Sequence, residues 1–97
     1  MVVFKVKLQE TYFNQGFFNV VTDYDRYVRS ADGPVRIRLG RDGEEIEGKV
    51  NRRVNPNGTP RILGGTRLRD WFQKNFKPMD SVAVDLTSQE VIVLEKR

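Results

Sequence analysis

Positively charged and amide side chains are concentrated in one stretch of the chain, residues 49–69 (KVNRRVNPNGTPRILGGTRLR). The stretch has six basic residues and three asparagines, and it contains no aspartate or glutamate. Arginine and asparagine form paired hydrogen bonds with guanine and adenine edges in the major groove of DNA. The composition therefore indicates a positive, turn-rich surface suited to nucleic acid. The alternative is a solvated hairpin whose charges bind no ligand.

The whole chain is also basic, with a net charge of +4, and eleven of its seventeen basic residues are arginines. This balance favours an anionic partner such as nucleic acid or an anionic membrane surface. Arginine suits planar, two-pronged recognition better than lysine does. These features bound the class of ligand without identifying it.

Cysteine and histidine are both missing from the sequence. Their absence excludes a disulfide scaffold, a cysteine zinc site, a thiol nucleophile, a serine–histidine triad and histidine–metal chemistry. No apolar run approaches the roughly 18 residues of a membrane-spanning helix, and residues 1–10 lack the apolar centre of a signal peptide. We expect a cytoplasmic protein, in the nucleoid or nucleus when bound to DNA, or a domain excised from a larger protein.

The elements that would position these side chains are mostly strands. Apolar and polar residues alternate over residues 2–8 and 34–39, which predicts two half-buried strands. Residues 40–43 (GRDG) predict a hairpin turn, followed by a strand over residues 44–54 whose inner face includes Ile46, Gly48, Val50 and Val54. The remaining strands are predicted at residues 17–21, 59–63, 81–86 and 91–95.

Two short helices are predicted between the strands. Thr22 is the expected N-cap of a helix over residues 23–29, and Thr66 that of a helix over residues 66–76. The second helix has an apolar stripe of Leu68, Trp71, Phe72 and Phe76. Residues 9–16 are predicted to be a polar loop. The order β-β-α-β-β-β-α-β-β predicts a single, mainly β domain over residues 1–97, with seven strands in an open barrel.

The second half of the chain has a strand, then a helix with an aromatic pair that ends in asparagine, then a turn with aspartate into another strand, formed by Arg61, Ile62, Leu68, Trp71, Phe72, Asn75, Asp80, Val82 and Val84. This pattern resembles the DNA-binding pseudobarrel family, which includes plant B3 domains and the recognition domains of EcoRII-type restriction endonucleases. The similarity spans residues 49–97 in motifs and the whole chain in element order. Met79 departs from the pattern, because the family usually has glycine before the aspartate.

The resemblance implies sequence-specific binding of double-stranded DNA, by two arms on one side of the barrel that enter the major groove. The protein would then be a small regulator or the recognition domain of a restriction enzyme. In the first arm, residues 9–16, the candidate contacts are Gln9, Glu10, Tyr12, Asn14 and Gln15. In and beside the second arm, residues 51–61, they are Lys49, Asn51, Arg52, Arg53, Asn55, Asn57 and Arg61.

Arg36 and Arg38 point outward from the third predicted strand and are candidates for phosphate contact. Structural alternatives stay open for several of these residues. Asn55 and Asn57 are equally suited to forming turns, and Arg61 to pairing with a strand neighbour.

Asp42, Glu47 and Lys49 are the one set of residues that could form a catalytic site. Two acids and a lysine across a hairpin are typical of the metal site of restriction-type nucleases. The alternation of Glu45, Glu47 and Lys49 is, however, that of a solvent-facing strand. We therefore expect no catalytic residue, no metal, no cofactor, no small-molecule substrate and no membrane partner. Besides DNA binding, the sequence permits a small β-barrel module that binds protein or RNA.

Overall fold

Seven strands and three short helices form the part of the chain that the computed structural model describes, residues 2–96. In chain order they are β1 (Val2–Lys7), α1 (Glu10–Gln15), β2 (Phe17–Asn19), a 3₁₀ helix (Thr22–Tyr27), β3 (Gly33–Leu39), β4 (Glu45–Asn51), β5 (Arg61–Leu63), α2 (Gly65–Asn75), β6 (Ser81–Leu86) and β7 (Val91–Glu95).

The strands form one sheet in the order β1-β6-β7-β3-β4-β5-β2. Neighbouring strands are antiparallel except β3 and β7, which are parallel. The sheet curls into a nearly closed barrel with an unsealed seam, and its two edge strands, β1 and β2, border that seam. The predicted fold class, a mainly β protein with a seven-stranded open barrel, is confirmed.

The strand directions determine at which end of the barrel each connection between strands lies. The connections that contain α1 and α2 and the β3–β4 turn lie at one end, which we call the α end. The 3₁₀ helix, the β4–β5 connection and the β6–β7 turn lie at the other, which we call the loop end. The two connections expected to be DNA-binding arms therefore leave opposite ends of the β2–β5 pair.

Alternating strand residues and one face of α2 fill the barrel interior. Leu68 and Phe72 of α2 are completely buried, Phe76 is nearly so, and Trp71 packs beside them, which confirms the predicted stripe. The largest completely buried side chains are Phe18, Phe72, Leu8, Ile37, Ile62, Leu68, Ile92, Leu94, Val20, Val50, Val82 and Val84.

The predicted loop over residues 9–16 is wrong, because residues 10–15 form α1. Gly16 ends this helix in the left-handed conformation (φ 75°), and its N–H donates to the carbonyl of Tyr12. Its carbonyl accepts the N–H of Gly64 beside α2 at 2.9 Å. Six polar-rich residues have little helical stability alone, so packing against α2 supports the helix.

Neither predicted threonine cap is observed. Thr22 is the first residue of the 3₁₀ helix, and no side chain caps that helix. The helix ends earlier than predicted, where the Arg52 guanidinium bonds the carbonyls of Asp25 and Val28. Thr66 lies inside α2, since the residue before that helix is Gly64.

β4 and β2 end two or more residues earlier than predicted, and both end where side chains bond the backbone or a neighbouring strand. β4 stops at Asn51, whose side-chain oxygen accepts the N–H groups of Arg53 and Val54. Val54 is therefore 45% exposed instead of facing the core. β2 stops at Asn19, and Val21 is 55% exposed. β5 begins at Arg61 instead of residue 59, whereas the predicted bounds of β6 and β7 are confirmed.

Met79, where the sequence departs from the family pattern, has a left-handed backbone with φ 75°. Its N–H donates to the carbonyl of Leu8, and the N–H of Leu8 donates to the carbonyl of Asp80, both at 2.7 Å. The Asp80 carboxylate accepts the N–H of Lys77 at 2.9 Å. The turn therefore adopts a conformation that favours glycine although methionine occupies it.

Candidate nucleic-acid interface

The β4–β5 loop, residues 52–60, is shaped by amide side chains. Asn51 accepts two backbone N–H groups at the start of the loop, at 2.8 and 3.2 Å. Asn57 accepts both the backbone N–H and the hydroxyl of Thr59, at 3.2 and 2.8 Å. Asn55 donates to the carbonyl of Thr59 at 3.0 Å. These amides have structural partners, as the turn-forming alternative for Asn55 and Asn57 predicts.

Arg52 fixes the loop to the loop end of the barrel. Its guanidinium donates to the carbonyls of Asp25, Val28 and Arg29 at 2.8–3.0 Å, and to that of Gly58 at 3.4 Å. Its side chain is only 19% exposed. Most of its donors therefore bond the protein itself, which leaves Arg52 poorly placed to contact DNA directly.

Arg53, the next residue, has the opposite surroundings. Its side chain is 88% exposed and pairs through Nε with the carboxylate of Asp32 at 2.9 Å. The pKa of Asp32 lies below its ordinary value, first because the backbone N–H of Arg52 donates to it and then because Arg53 does. Lys49 also lowers it through its charge. Arg53 thus extends two guanidinium nitrogens into solvent from a fixed loop.

A row of polar side chains crosses the outer surface of three strands. Asn19 of β2 pairs with Arg61 of β5, which pairs in turn with Asn51 of β4. Arg61 donates through Nε to the side-chain oxygen of Asn19 at 3.0 Å, and its guanidinium lies 4.4 Å from the ring centre of Phe17. Asn55 joins the row by donating to the same Asn19 oxygen at 3.1 Å.

Asn19 is a site residue that the sequence patterns did not indicate. It lies in the mostly apolar run FFNVV, which was interpreted as a buried strand. Alternation within that strand carries the signal, because Phe18 is buried and Phe17 and Asn19 face the other side. The pairing of Asn19 with Arg61 is a long-range contact that no local pattern reveals.

The candidate residues of the first arm lie on or next to α1. Gln9, Glu10, Asn14 and Gln15 are exposed, and Asn14 accepts from Gln73 of α2 at 3.5 Å. The Tyr12 ring meets the Phe17 ring edge-on at 5.2 Å. Tyr12 thereby connects α1 to the outer surface of the β2–β5 pair.

Arg36 and Arg38 are separated from this row. Both lie on β3 and pair with Glu45 of β4, at 3.8 and 2.6 Å. The hydrogen bond from Arg38 is the main reason that the pKa of Glu45 is below its ordinary value. Their charges are therefore partly neutralised within the sheet.

The nuclease-like constellation is dispersed. Asp42 lies in the turn before β4, whereas Glu47 and Lys49 are exposed on the outer face of that strand. Across residues 2–96 no group of three acidic, histidine or cysteine side chains is arranged to hold a metal ion. Within the same range, no helix has the length and apolar character to cross a membrane.

Comparison with known proteins identifies no relative. No family model matches the chain, and no curated protein or solved structure is significantly similar to it.

Proposed function

We propose that this protein binds double-stranded DNA through the outer surface of β2, β5 and β4 together with the β4–β5 loop. The observation that carries the proposal is the row of Asn19, Arg61 and Asn51 at the base of a loop that Arg52 holds in place. An antiparallel β ribbon fits the major groove, which is about 12 Å wide. β4 and β5 pair antiparallel, but β3 and β2 flank them, so the β4–β5 loop is the part of this pair that can enter the groove.

Each side chain has a role that matches its surroundings. Arg61 would present its terminal guanidinium nitrogens to guanine, giving up a long hydrogen bond of 3.5 Å from Nη2 to Asn55. The amide nitrogen of Asn51 would donate to a base edge, since its oxygen already holds the loop. Arg53, which is exposed, would bind a backbone phosphate and set the orientation of the protein. The resemblance to the DNA-binding pseudobarrel family supports the same ligand.

Duplex DNA is a better match than single-stranded RNA because of the aromatic side chains. Recognition of single strands relies on exposed rings that stack against bases. On this surface Phe17 is only 7% exposed, since Arg61 covers its ring and Tyr12 contacts its edge. A DNA ligand would place the protein in the cytoplasm, nucleoid or nucleus, as a regulator or as the recognition domain of a restriction enzyme.

The test is selection from a pool of random DNA duplexes at two salt concentrations, followed by sequencing of the retained molecules. We expect one enriched motif, and a steep loss of affinity with salt. Arg61→Lys keeps the charge but loses the planar guanidinium with its paired donors. It should therefore weaken binding to the motif by about 1–3 kcal/mol and reduce the sequence preference at one base position. Arg53→Gln should weaken binding to all sequences alike.

Arg67→Gln is the matched control. Arg67 pairs with Glu44 next to the β3–β4 turn, and this variant should bind DNA as the unmodified protein does. The stability of each variant is measured by urea unfolding, which shows whether weaker binding comes from a lost DNA contact or from a destabilised fold. Absence of duplex retention at low salt would contradict the proposal, and retention of single-stranded RNA or of protein partners instead would favour the interaction-module alternative.

A further inference from the structure

Several arginines on the surface of the barrel form ion pairs. Arg36, Arg38, Arg53 and Arg67 all pair with carboxylates. By contrast, Lys5 and Lys7 of β1 form no ion pair with any described residue. Their positive charges are therefore available to a ligand.

Both lysines point away from the barrel interior. Phe4 and Val6, which alternate with them, are buried, while Lys5 and Lys7 are exposed. Side chains two residues apart on a strand lie on one face, roughly 7 Å from each other. We call this pair the β1 lysine stripe.

The residues directly opposite the stripe on β6 are uncharged, and Asp85, which is opposite Val3 on the same face, pairs with Arg41. Lys5 is opposite Ala83, and Lys7 is opposite Ser81. Neither neighbour can neutralise a lysine. On its other side β1 has no paired strand, because it is an edge of the sheet and borders the seam.

The seam brings the stripe next to the proposed DNA-binding surface. β2 is the opposite edge of the sheet, so it is the next strand around the barrel after β1. The outer residues of β2 are Phe17 and Asn19, which contact Arg61. β1 is therefore the strand across the seam from β2, which carries Asn19 of the polar row, although β1 and β2 are at opposite ends of the strand order.

We infer that the β1 lysine stripe binds backbone phosphates of the same DNA duplex whose groove the β4–β5 loop enters. This inference rests on the proposed function and extends it across the seam. The phosphate chain of a duplex borders the groove, so a surface beside the one that binds the groove is where it would meet cations. Lysine is suited to this task as a point charge that needs no fixed geometry.

An alternative role for the lysines is protection of an exposed sheet edge. Charged side chains on edge strands prevent pairing with other chains, and lysine is common there. This role predicts self-association when the lysines are replaced, and it predicts no change in the salt dependence of DNA binding. The two roles are therefore distinguishable.

The experiment compares the salt dependence of DNA affinity between the unmodified protein and the double variant Lys5→Gln/Lys7→Gln. The DNA is the duplex enriched from the random pool, with an unrelated duplex of equal length alongside. Two lost phosphate contacts should make the slope of log affinity against log salt less steep by about 1.8, equally for both duplexes. The enriched motif should stay the same, and each single variant should give about half the effect.

The control variant Arg67→Gln/Lys74→Gln removes the same charge from the groove between α2 and the β3–β4 turn. This groove lies at the α end of the barrel, whereas the polar row lies at the loop end, where β2 and β4 end and β5 begins. An unchanged slope for Lys5→Gln/Lys7→Gln, or an equal change in the control, would overturn the inference while leaving motif binding intact. Failure of the unmodified protein to retain any duplex would overturn the proposed function as well.

Discussion

Two adjacent arginines of the β4–β5 loop have side chains in opposite environments. Arg52 is largely buried and bonds four backbone carbonyls, whereas Arg53 is 88% exposed and forms one ion pair. A backbone carbonyl that loses a charged donor without gaining water costs free energy, while an exposed ion pair contributes little. The contribution of each arginine to stability therefore follows from its burial.

Replacing each of these arginines with methionine should separate folding from binding. Arg52→Met should lower the free energy of unfolding by about 3 kcal/mol, because several bonds to carbonyls are lost together. Arg53→Met should change it by less than about 0.5 kcal/mol but should weaken DNA binding. Urea unfolding and DNA titration measure the two effects. Equal stability losses would contradict the structural role of Arg52.

Because the backbone at Met79 is strained, a substitution there is expected to raise the free energy of unfolding instead of lowering it. The left-handed conformation costs a non-glycine residue about 1–2 kcal/mol, and glycine removes this cost. Part of the gain is lost because glycine makes the unfolded chain more flexible. The Met79 side chain is 54% exposed, so little packing is lost on removing it. Met79→Gly should therefore raise the free energy of unfolding by about 0.5–1 kcal/mol.

Met79→Ala is the control for that experiment, because it shortens the side chain and keeps the backbone constraint. It should give no such gain in urea unfolding. A gain of equal size in both variants would show that the exposed side chain, and not the backbone conformation, is responsible.

At the scale of elements, α1 depends on a close approach to α2 at Gly16. A Cβ at this position would lie 2.2 Å from the carbonyl oxygen of Gly65 and 2.8 Å from the backbone nitrogen of Arg69. Both obstacles belong to the backbone, so neither can rotate away. Gly58 of the β4–β5 loop has nearly the same φ (76°), but a Cβ added there would have no heavy atom of another segment within 4 Å.

This pair of glycines separates conformational cost from packing cost. Gly58→Ala should lower the free energy of unfolding by about 1 kcal/mol, since only the left-handed conformation is penalised. Gly16→Ala adds a backbone clash and should cost at least twice as much. Thermal or urea unfolding measures both. Similar losses of unfolding free energy in the two variants would mean that α1 and α2 can move apart at little cost.

For the molecule as a whole, the seam between β1 and β2 is the place where the barrel lacks strand pairing. Tyr24 of the 3₁₀ helix stacks on Phe4 of β1, with ring centres 4.3 Å apart and an interplanar angle of 7°. This contact connects the segment that follows β2 to the opposite edge of the sheet. The stack therefore holds the two edges in one arrangement in place of hydrogen bonds.

Removing this ring should open the barrel. Tyr24→Ala should lower the free energy of unfolding by about 2 kcal/mol, less than for a fully buried ring because Tyr24 is only half-buried. It should also increase self-association through the freed edges, which sedimentation measures. Tyr24→Phe keeps the stack and should behave as the unmodified protein does. Unchanged stability in Tyr24→Ala would show that the seam needs no such contact.

Local patterns in the sequence were sufficient for much of the fold. Alternation, short apolar runs and turn residues predict all seven strands, and the bounds of β6 and β7 agree with the structure because turn residues separate the two apolar runs. The apolar stripe, which follows the period of a helix, predicts α2. The concentration of arginine and asparagine in residues 49–69 likewise needs no structure to be noticed.

The tertiary structure decided which of these side chains are free and which lie together. Arg52 and Arg53 are equivalent in the sequence, but long-range contacts with the 3₁₀ helix bury only the first. Asn19 joins Arg61 through strand pairing, and α1 forms because α2 supports it. Closure of the barrel alone makes β1 a neighbour of β2. Contacts between residues far apart in the chain leave no periodic trace in the sequence, so only the folded structure determines them.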